Sequence, residues 1–349
     1  MSKEPLIIDC HGHYTTAPDE LGEYREQQKK ELAIDPLFDH VKGIVNISDD
    51  QIRDSLEGAQ LKLQNDRGTD VTIFSPRASW MGHHIGNQTT SKYWTEHCNE
   101  LIYRITELYP QNFIGAAQLP QSPNADMTAS AAELERTVKE FGFVGCNLSP
   151  DPSGGYWTAP PLDDKFYYPI YEKMCELEVP AMIHVSGCCH RCFHTTGSHY
   201  LGADTTAFQQ LMMSKTLFKD FPDLKFIIPH GGGAVPYHWG RFRGLCDMMN
   251  LPSLTEIIEN NIYFDTCVYH QEGIDLLLEV VPIENILFAS EMIGAVRGID
   301  PMTGHYFDDT KRYIDGSKLN DEDKAKVFNG NTRDVFARLD DRLKEVGLI

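Results

Sequence analysis

No apolar run in the 349-residue sequence approaches the roughly 18 residues needed to cross a bilayer. The opening, MSKEPLIIDC, lacks the apolar stretch and small-residue cleavage site of a secretory leader. Neither membrane insertion nor export is expected. Basic residues are scarce: 31 Lys and Arg face 51 Asp and Glu, a net charge of −20. A nucleic-acid partner requires clustered surface cations, so none is expected. An anionic small molecule stays open, because a few buried arginines reverse the potential inside a cleft. The sequence has no internal repeat, low-complexity tract or flexible linker, and residues 1–349 are expected to form one domain. Its nine cysteines are an odd number, and without a leader they read as reduced thiols of a cytoplasmic protein.

What is present is a rhythm. Short apolar runs stand at residues 6–9, 71–74, 113–117, 144–148, 181–185, 226–229, 263–266 and 286–289, most followed by segments of helical period. Their near-continuous hydrophobicity suits parallel strands covered on both faces. Eight runs alternating with helices predict an α/β fold, a (β/α)8 TIM barrel. The competing open, doubly wound sheet is disfavoured, since no Gly-x-Gly-x-x-Gly turn follows the first run. Helices are expected over 48–65, 91–108, 125–141, 164–177 and 205–221. Ser48-Asp49-Asp50 serves as an N-terminal cap, and Gly142 and Pro222 as stops. Two stretches exceed a minimal barrel. Residues 14–46 form an insertion after the first strand, expected to act as a lid or subunit contact. The acidic stretch 321–339 is expected to pack outside the barrel as one or two helices.

Catalytic residues of such barrels sit where strands end and the following loops begin. The first run ends in Asp9-Cys10-His11-Gly12-His13, and strand alternation puts both histidines on one side, within reach of one ion. His184 ends the fifth run, and His230-Gly231-Gly232 follows the sixth. The eighth ends in Glu291, a carboxylate that is costly to bury unless paired or metal-bound. A lone histidine at a strand end is usually a hydrogen-bonded core residue. Five such groups at one end of one barrel predict a metal site.

This set, with Asp9-x-His11-x-His13, the segment Asn285-Ile286-Leu287-Phe288-Ala289-Ser290-Glu291 and the closing Gly330-Asn331-Thr332-Arg333-Asp334-Val335-Phe336, resembles the amidohydrolase superfamily. The likeness is to the branch related to aminocarboxymuconate-semialdehyde decarboxylase, and it covers essentially the whole chain. That branch usually carries aspartate where this chain has Glu291. The glutamate variant is similar to the 4-oxalomesaconate hydratases, lyases of protocatechuate 4,5-cleavage in lignin-derived aromatic catabolism.

The resemblance implies one metal ion held by His11, His13, His184 and Glu291. Zinc is the expected ion for three histidines and a carboxylate, and manganese or iron suit the same ligand types. It implies addition of water to the carbon–carbon double bond of an unsaturated tricarboxylate, 4-oxalomesaconate, giving 4-carboxy-4-hydroxy-2-oxoadipate. Glu291 would act as ligand and general base, with His230 and Cys192 as candidates to protonate carbon. A substrate with three carboxylates needs cations and donors. Arg77 and Arg297 are the expected bidentate partners, with Asn147 and Ser149 as weaker candidates for neutral donors. The dense segment Cys188-Cys189-His190-Arg191-Cys192-Phe193-His194 reads as lining of the active site, with His190 and His194 near substrate. A structural zinc is the competing reading. His83-His84 read as solvated loop residues, and Tyr156-Trp157 and Tyr167-Tyr168 as packing. Related enzymes are often dimers, so a homodimer is expected. The alternative activity is non-oxidative decarboxylation of a related unsaturated or aromatic acid, and the alternative class is a barrel that only binds a ligand.

Overall fold

The computed structural model describes residues 6–193 and 196–349. Eight parallel strands follow one another in chain order around a single sheet: β1 (Ile8–Tyr14), β2 (Val71–Pro76), β3 (Phe113–Gln118), β4 (Gly145–Leu148), β5 (Ala181–Ile183), β6 (Phe226–Ile228), β7 (Ile262–Asp265) and β8 (Ile286–Leu287). Every residue of every strand is buried, as expected of strands covered on both faces. The sheet closes on itself. Cys10 N–H donates to Phe288 O at 2.9 Å, and Glu291 N–H donates to His11 O at 2.9 Å. The predicted (β/α)8 barrel is the fold observed.

The barrel interior has a plugged end and an open end. Ile8, Val71, Ile114, Val144, Ile227 and Tyr263, from the starts and middles of the strands, pack against Val335, Phe336, Leu339 and Leu343 near the C-terminus. Each such side chain contributes about 1.5–3 kcal/mol on burial. The C-terminal region, Asp321–Ala325, Lys326–Gly330, Asn331–Val335 and Leu339–Glu345, is thus more broken than expected, and its apolar residues close the barrel floor. With that floor closed, the C-terminal ends of the strands form the accessible face.

Several boundaries moved. The predicted helix over 48–65 divides into Asp49–Glu57 and Gln60–Arg67 around Gly58, and the one over 205–221 shifts to Thr196–Met212 and Leu217–Asp220. β1 runs on past Asp9 to Tyr14, carrying both histidines inside the strand. The insertion contains a helix, Asp19–Ile34, that periodicity did not mark. Its buried face is polar: Arg25 donates to Met81 O (2.7 Å) and Gly82 O (3.1 Å), and its guanidinium lies 5.0 Å from the Trp94 ring centroid. No helix among the described residues is long and apolar enough to cross a membrane.

Candidate active site

β1 reaches its site through a bulge. Asp9 pairs with Thr72 and Gly12 with Phe74, so one strand gains a residue on the other between them. Gly12 allows this approach, since a Cβ there would lie 2.3 Å from Thr72 Cγ2. Asp9 carries no ligand role. Its Oδ1 accepts from the N–H of His11 (3.0 Å) and of Ser290 (3.1 Å), and Oδ2 accepts from Ser290 Oγ, tying β1 to the end of β8.

His11, His13 and His184 converge. Their Nε2 atoms are separated by 3.0 Å (His11 to His13) and 3.1 Å (His13 to His184). On the far side of each ring, Nδ1–H has its own acceptor: Asp265 Oδ2 for His11 (2.7 Å), Ser75 Oγ for His13 (2.8 Å) and Val185 O for His184 (2.9 Å). Carboxylate and carbonyl oxygens only accept, and the Ser75 hydroxyl faces the Gly12 and Pro76 carbonyls. Each imidazole is therefore the Nδ1–H tautomer, and three Nε2 lone pairs face one another. Such an arrangement repels itself unless a cation lies between the nitrogens. Glu291 completes the group, with one ligand atom from each of the four residues within 4.8 Å of the others. Three neutral imidazoles and one carboxylate fit a divalent ion such as zinc.

Electrostatics agree with that fit. Burial alone would raise the Glu291 carboxyl, but the charged His230 beside it holds it well below the usual carboxylate range, so it is ionised. Burial alone would discharge His230, yet Asp204 and Glu291 together hold it well above the ordinary imidazole range. Asp204 Oδ2 accepts from His230 Nδ1–H at 2.9 Å. The opposite nitrogen, Nε2, stands 3.6 Å from Glu291 Oε2 with no hydrogen bond of its own among the described residues. His230 and Glu291 both adopt left-handed backbone conformations, with φ of 52° and 48°. This is an uncommon conformation for such residues and a frequent mark of functional sites. Gly294 makes room for the second: a Cβ there would lie 2.7 Å from Glu291 Cδ.

Above this group opens a cleft of about 490 Å³, walled by His13, Glu291, Ser79, Tyr200, Arg77 and Arg297 among others. Arg77 donates to Ser79 Oγ (2.9 Å), and its guanidinium lies 4.8 Å from the Trp80 ring centroid. Burial lowers its pKa, and the charge of Arg297 lowers it further. The mouth of this strongly acidic chain is thus locally cationic.

The structure brings together seven of the residues singled out in the sequence: His11, His13, His184, His230, Glu291, Arg77 and Arg297. Asn147 is elsewhere. It is buried in the barrel, and its Nδ2 donates to Ser75 Oγ at 3.0 Å, behind His13. It is placed to orient a ligand, not to face the cleft. Ser149 is buried beside Gln121, which accepts its N–H at 2.8 Å. Cys192 is exposed on the loop after β5, with its N–H donating to His190 Nδ1 at 3.1 Å. His194 lies outside the described residues. His83 is buried and His84 partly so, not solvated, because the insertion helix with Arg25 covers them. Tyr167 is fully buried packing as expected, whereas Tyr156 is exposed, its ring edge-on to His190 at 4.6 Å.

Sequence reasoning missed the residues that support the ligands. Asp265 closes β7 and accepts from His11 Nδ1–H, Gly231 N–H (2.9 Å) and Cys267 N–H (3.0 Å). An aspartate ending an apolar parallel strand was the available signal. Tyr269 donates to Glu291 Oε2 at 3.2 Å. Tyr200 stacks on His230 with centroids 5.2 Å apart. Asp204, Tyr200 and Ser75 had no local signal, since only folding brings them to the site.

The amidohydrolase family profile matches residues 8–338. The chain belongs to this family. As an amidohydrolase it is 60% identical over 344 residues to a 2-keto-4-carboxy-3-hexenedioate hydratase of Sphingobium, covering 98% of this chain and 99% of that one. A solved 4-oxalomesaconate hydratase from Rhodopseudomonas palustris superposes with a TM-score of 0.89 at 57% identity, over 98% of this chain and 99% of that chain. A dihydroxybenzoic acid decarboxylase from Polaromonas, solved with manganese and an inhibitor, shares the amidohydrolase fold at TM-score 0.64 and 20% identity, over 95% and 97% of the two chains.

Proposed function

We propose that this amidohydrolase is a metal-dependent hydro-lyase that adds water to the carbon–carbon double bond of 4-oxalomesaconate, giving 4-carboxy-4-hydroxy-2-oxoadipate in aromatic catabolism. The observation that carries the reading is the 60% identity, over nearly the full length of both chains, to a hydratase. His11, His13, His184 and Glu291 would hold the ion, with zinc as the resident metal. When bound, the ion supplies an acidified water and a polarising charge.

The remaining steps belong to the chain. Ionised Glu291 takes a proton from the attacking water, whose oxygen bonds to the alkene carbon distal to the ketone. The alkene electron pair moves toward the ketone oxygen, and protonated His230 donates Nε2–H to the charge that develops there. Cys192 delivers a proton to the adjacent carbon and is reprotonated from solvent, while Glu291 releases the proton it took. Arg77 and Arg297 bind substrate carboxylates at the cleft mouth as bidentate partners, with His194 as a further contact. The same reading includes a cytoplasmic location and a homodimer. Ile34, Leu37, Val41 and Ile44, exposed apolar side chains at and beyond the end of the insertion helix, support a second copy as their cover.

The test is proton NMR of metal-loaded protein with 4-oxalomesaconate. Loss of the vinyl signal with all carboxylates retained is the expected result. Release of carbon dioxide instead would assign a decarboxylase, and absence of turnover with metal bound would remove this substrate.

A further inference from the structure

Arg77 follows β2 directly, and a one-turn helix, Ala78–Met81, begins at the next residue. The backbone here is fixed from three sides. Trp80 N–H donates to Arg77 O (3.0 Å), Trp94 Nε1–H donates to Trp80 O (3.0 Å), and a Cβ on Gly187 would lie 2.9 Å from Ser79 O. The guanidinium is fixed as well. Its Nε–H donates to Ser79 Oγ at 2.9 Å, and its central carbon stands 4.8 Å from the Trp80 ring centroid. Among the described residues this is the only hydrogen bond of the Arg77 side chain, and no carboxylate pairs with it.

A guanidinium can grip a carboxylate by its side edge, Nε with one Nη, or by its end edge, Nη1 with Nη2. The chain uses the side edge for ion pairs of its own. Arg136 donates from Nε (2.8 Å) and Nη2 (2.7 Å) to the two oxygens of Glu133. Arg333 donates from Nε (2.6 Å) and Nη2 (2.8 Å) to those of Asp340. At Arg77 the serine hydroxyl occupies that edge. The end edge remains, on a residue that lines the cleft of about 490 Å³. Trp80 backs the guanidinium and lines, with Arg25 and His84, a neighbouring cavity of about 380 Å³.

We propose that Ser79 and Trp80 are positioning residues that hold Arg77 as an end-on fork, set before substrate arrives and specific for a carboxylate. The inference rests on the reading of Arg77 as a partner of a substrate carboxylate. A planar carboxylate offers one acceptor to each Nη–H, whereas a primary amide would oppose one of them with its own N–H. An arginine left to swivel must be ordered by the substrate, which weakens binding about 2–12-fold. The clamp avoids that loss.

The test is calorimetric titration of metal-loaded enzyme with propane-1,2,3-tricarboxylate, an unreactive tricarboxylate, beside steady-state kinetics on 4-oxalomesaconate. Ser79→Ala and Trp80→Leu should each weaken binding about 2–12-fold and raise KM by a similar factor, with kcat little changed. Ser79→Thr keeps the hydroxyl and should restore wild-type affinity. Neither Ser79→Ala nor Trp80→Leu should weaken binding further when Arg77→Met is already present, since both act through that side chain. Wild-type affinity in either single variant, losses that add in full to that of Arg77→Met, or a fall in kcat at constant KM would each overturn the clamp. Unchanged affinity in Arg77→Met, or no binding by wild type, would instead refute the carboxylate reading of Arg77, and the clamp with it.

Discussion

His11, His13 and His184 are defined by what lies behind them. Each ring is fixed by an Nδ1–H acceptor, and those acceptors come from three different strands or strand ends. Asp265→Asn should therefore weaken metal binding about 10–100-fold without touching the ion, measurable by competition with a chromophoric chelator. Glu291→Gln should retain metal and lose about 10²–10⁴ in kcat, because an amide cannot take the water's proton. Near-normal turnover by that variant would remove the base role. His83 tests a different property. Burial, with help from Arg25, drives its pKa down from 6.5 to about 3. The unfolded chain thus binds a proton between those pH values that the folded chain refuses. Stability from this residue is present above pH 6.5 and is lost as pH falls toward 3, by about 1.4 kcal/mol per pH unit. His83→Gln should flatten that slope in urea unfolding at stepped pH, and an unchanged slope would place the acid sensitivity elsewhere.

At the scale of the element, the segment after β8 joins the ligand to the cleft mouth. Glu291 stands four residues beyond β8, Gly294 permits its side chain, and Arg297 follows at the rim. Asp308 clasps this segment from below: its carboxylate accepts from Ile293 N–H (2.7 Å) and from the buried Arg67 (2.8 Å). Asp308→Ala leaves a buried guanidinium without its carboxylate, which should cost about 3–5 kcal/mol in stability. It should also raise KM more than it lowers kcat, since Arg297 loses its anchor while the metal ligands keep theirs. Equal KM values for variant and wild type would separate Arg297 from substrate binding. The insertion helix shows why this region was hard to read. Its inward face carries Arg25 and Gln28 beside Leu21, so the usual apolar stripe is missing and hydrogen bonds to Met81 and Gly82 substitute for it.

Across the whole molecule, one ion would join ligands from β1, the end of β5 and the segment after β8, elements far apart in the chain. Metal that binds only the folded state stabilises it by mass action. Removing it with a chelator should lower Tm, restore repulsion among the three Nε2 atoms and abolish turnover, and zinc should reverse all three. A Tm unaffected by chelation in calorimetry would argue against an ion at this site. The homodimer reading predicts twice the chain mass in analytical ultracentrifugation, with Leu37→Glu/Val41→Glu shifting it to monomer.

The linear order of residues already determined much of this protein. Eight apolar runs fit only strands buried on both faces, and a charged or ligating group at the end of such a run has few stable solutions, so the barrel and the His11, His13, His184 and Glu291 set were legible at once. Tertiary structure decided the rest. Ser75, Asp204, Tyr200 and Tyr269 carry no signal in local spacing, because each acts on a residue at least 22 positions away or on another strand. Asn147 moved behind His13 and Asp9 became a tie between strands for the same reason: closure of the ring determines which polar atoms meet, and burial requires that each find a partner.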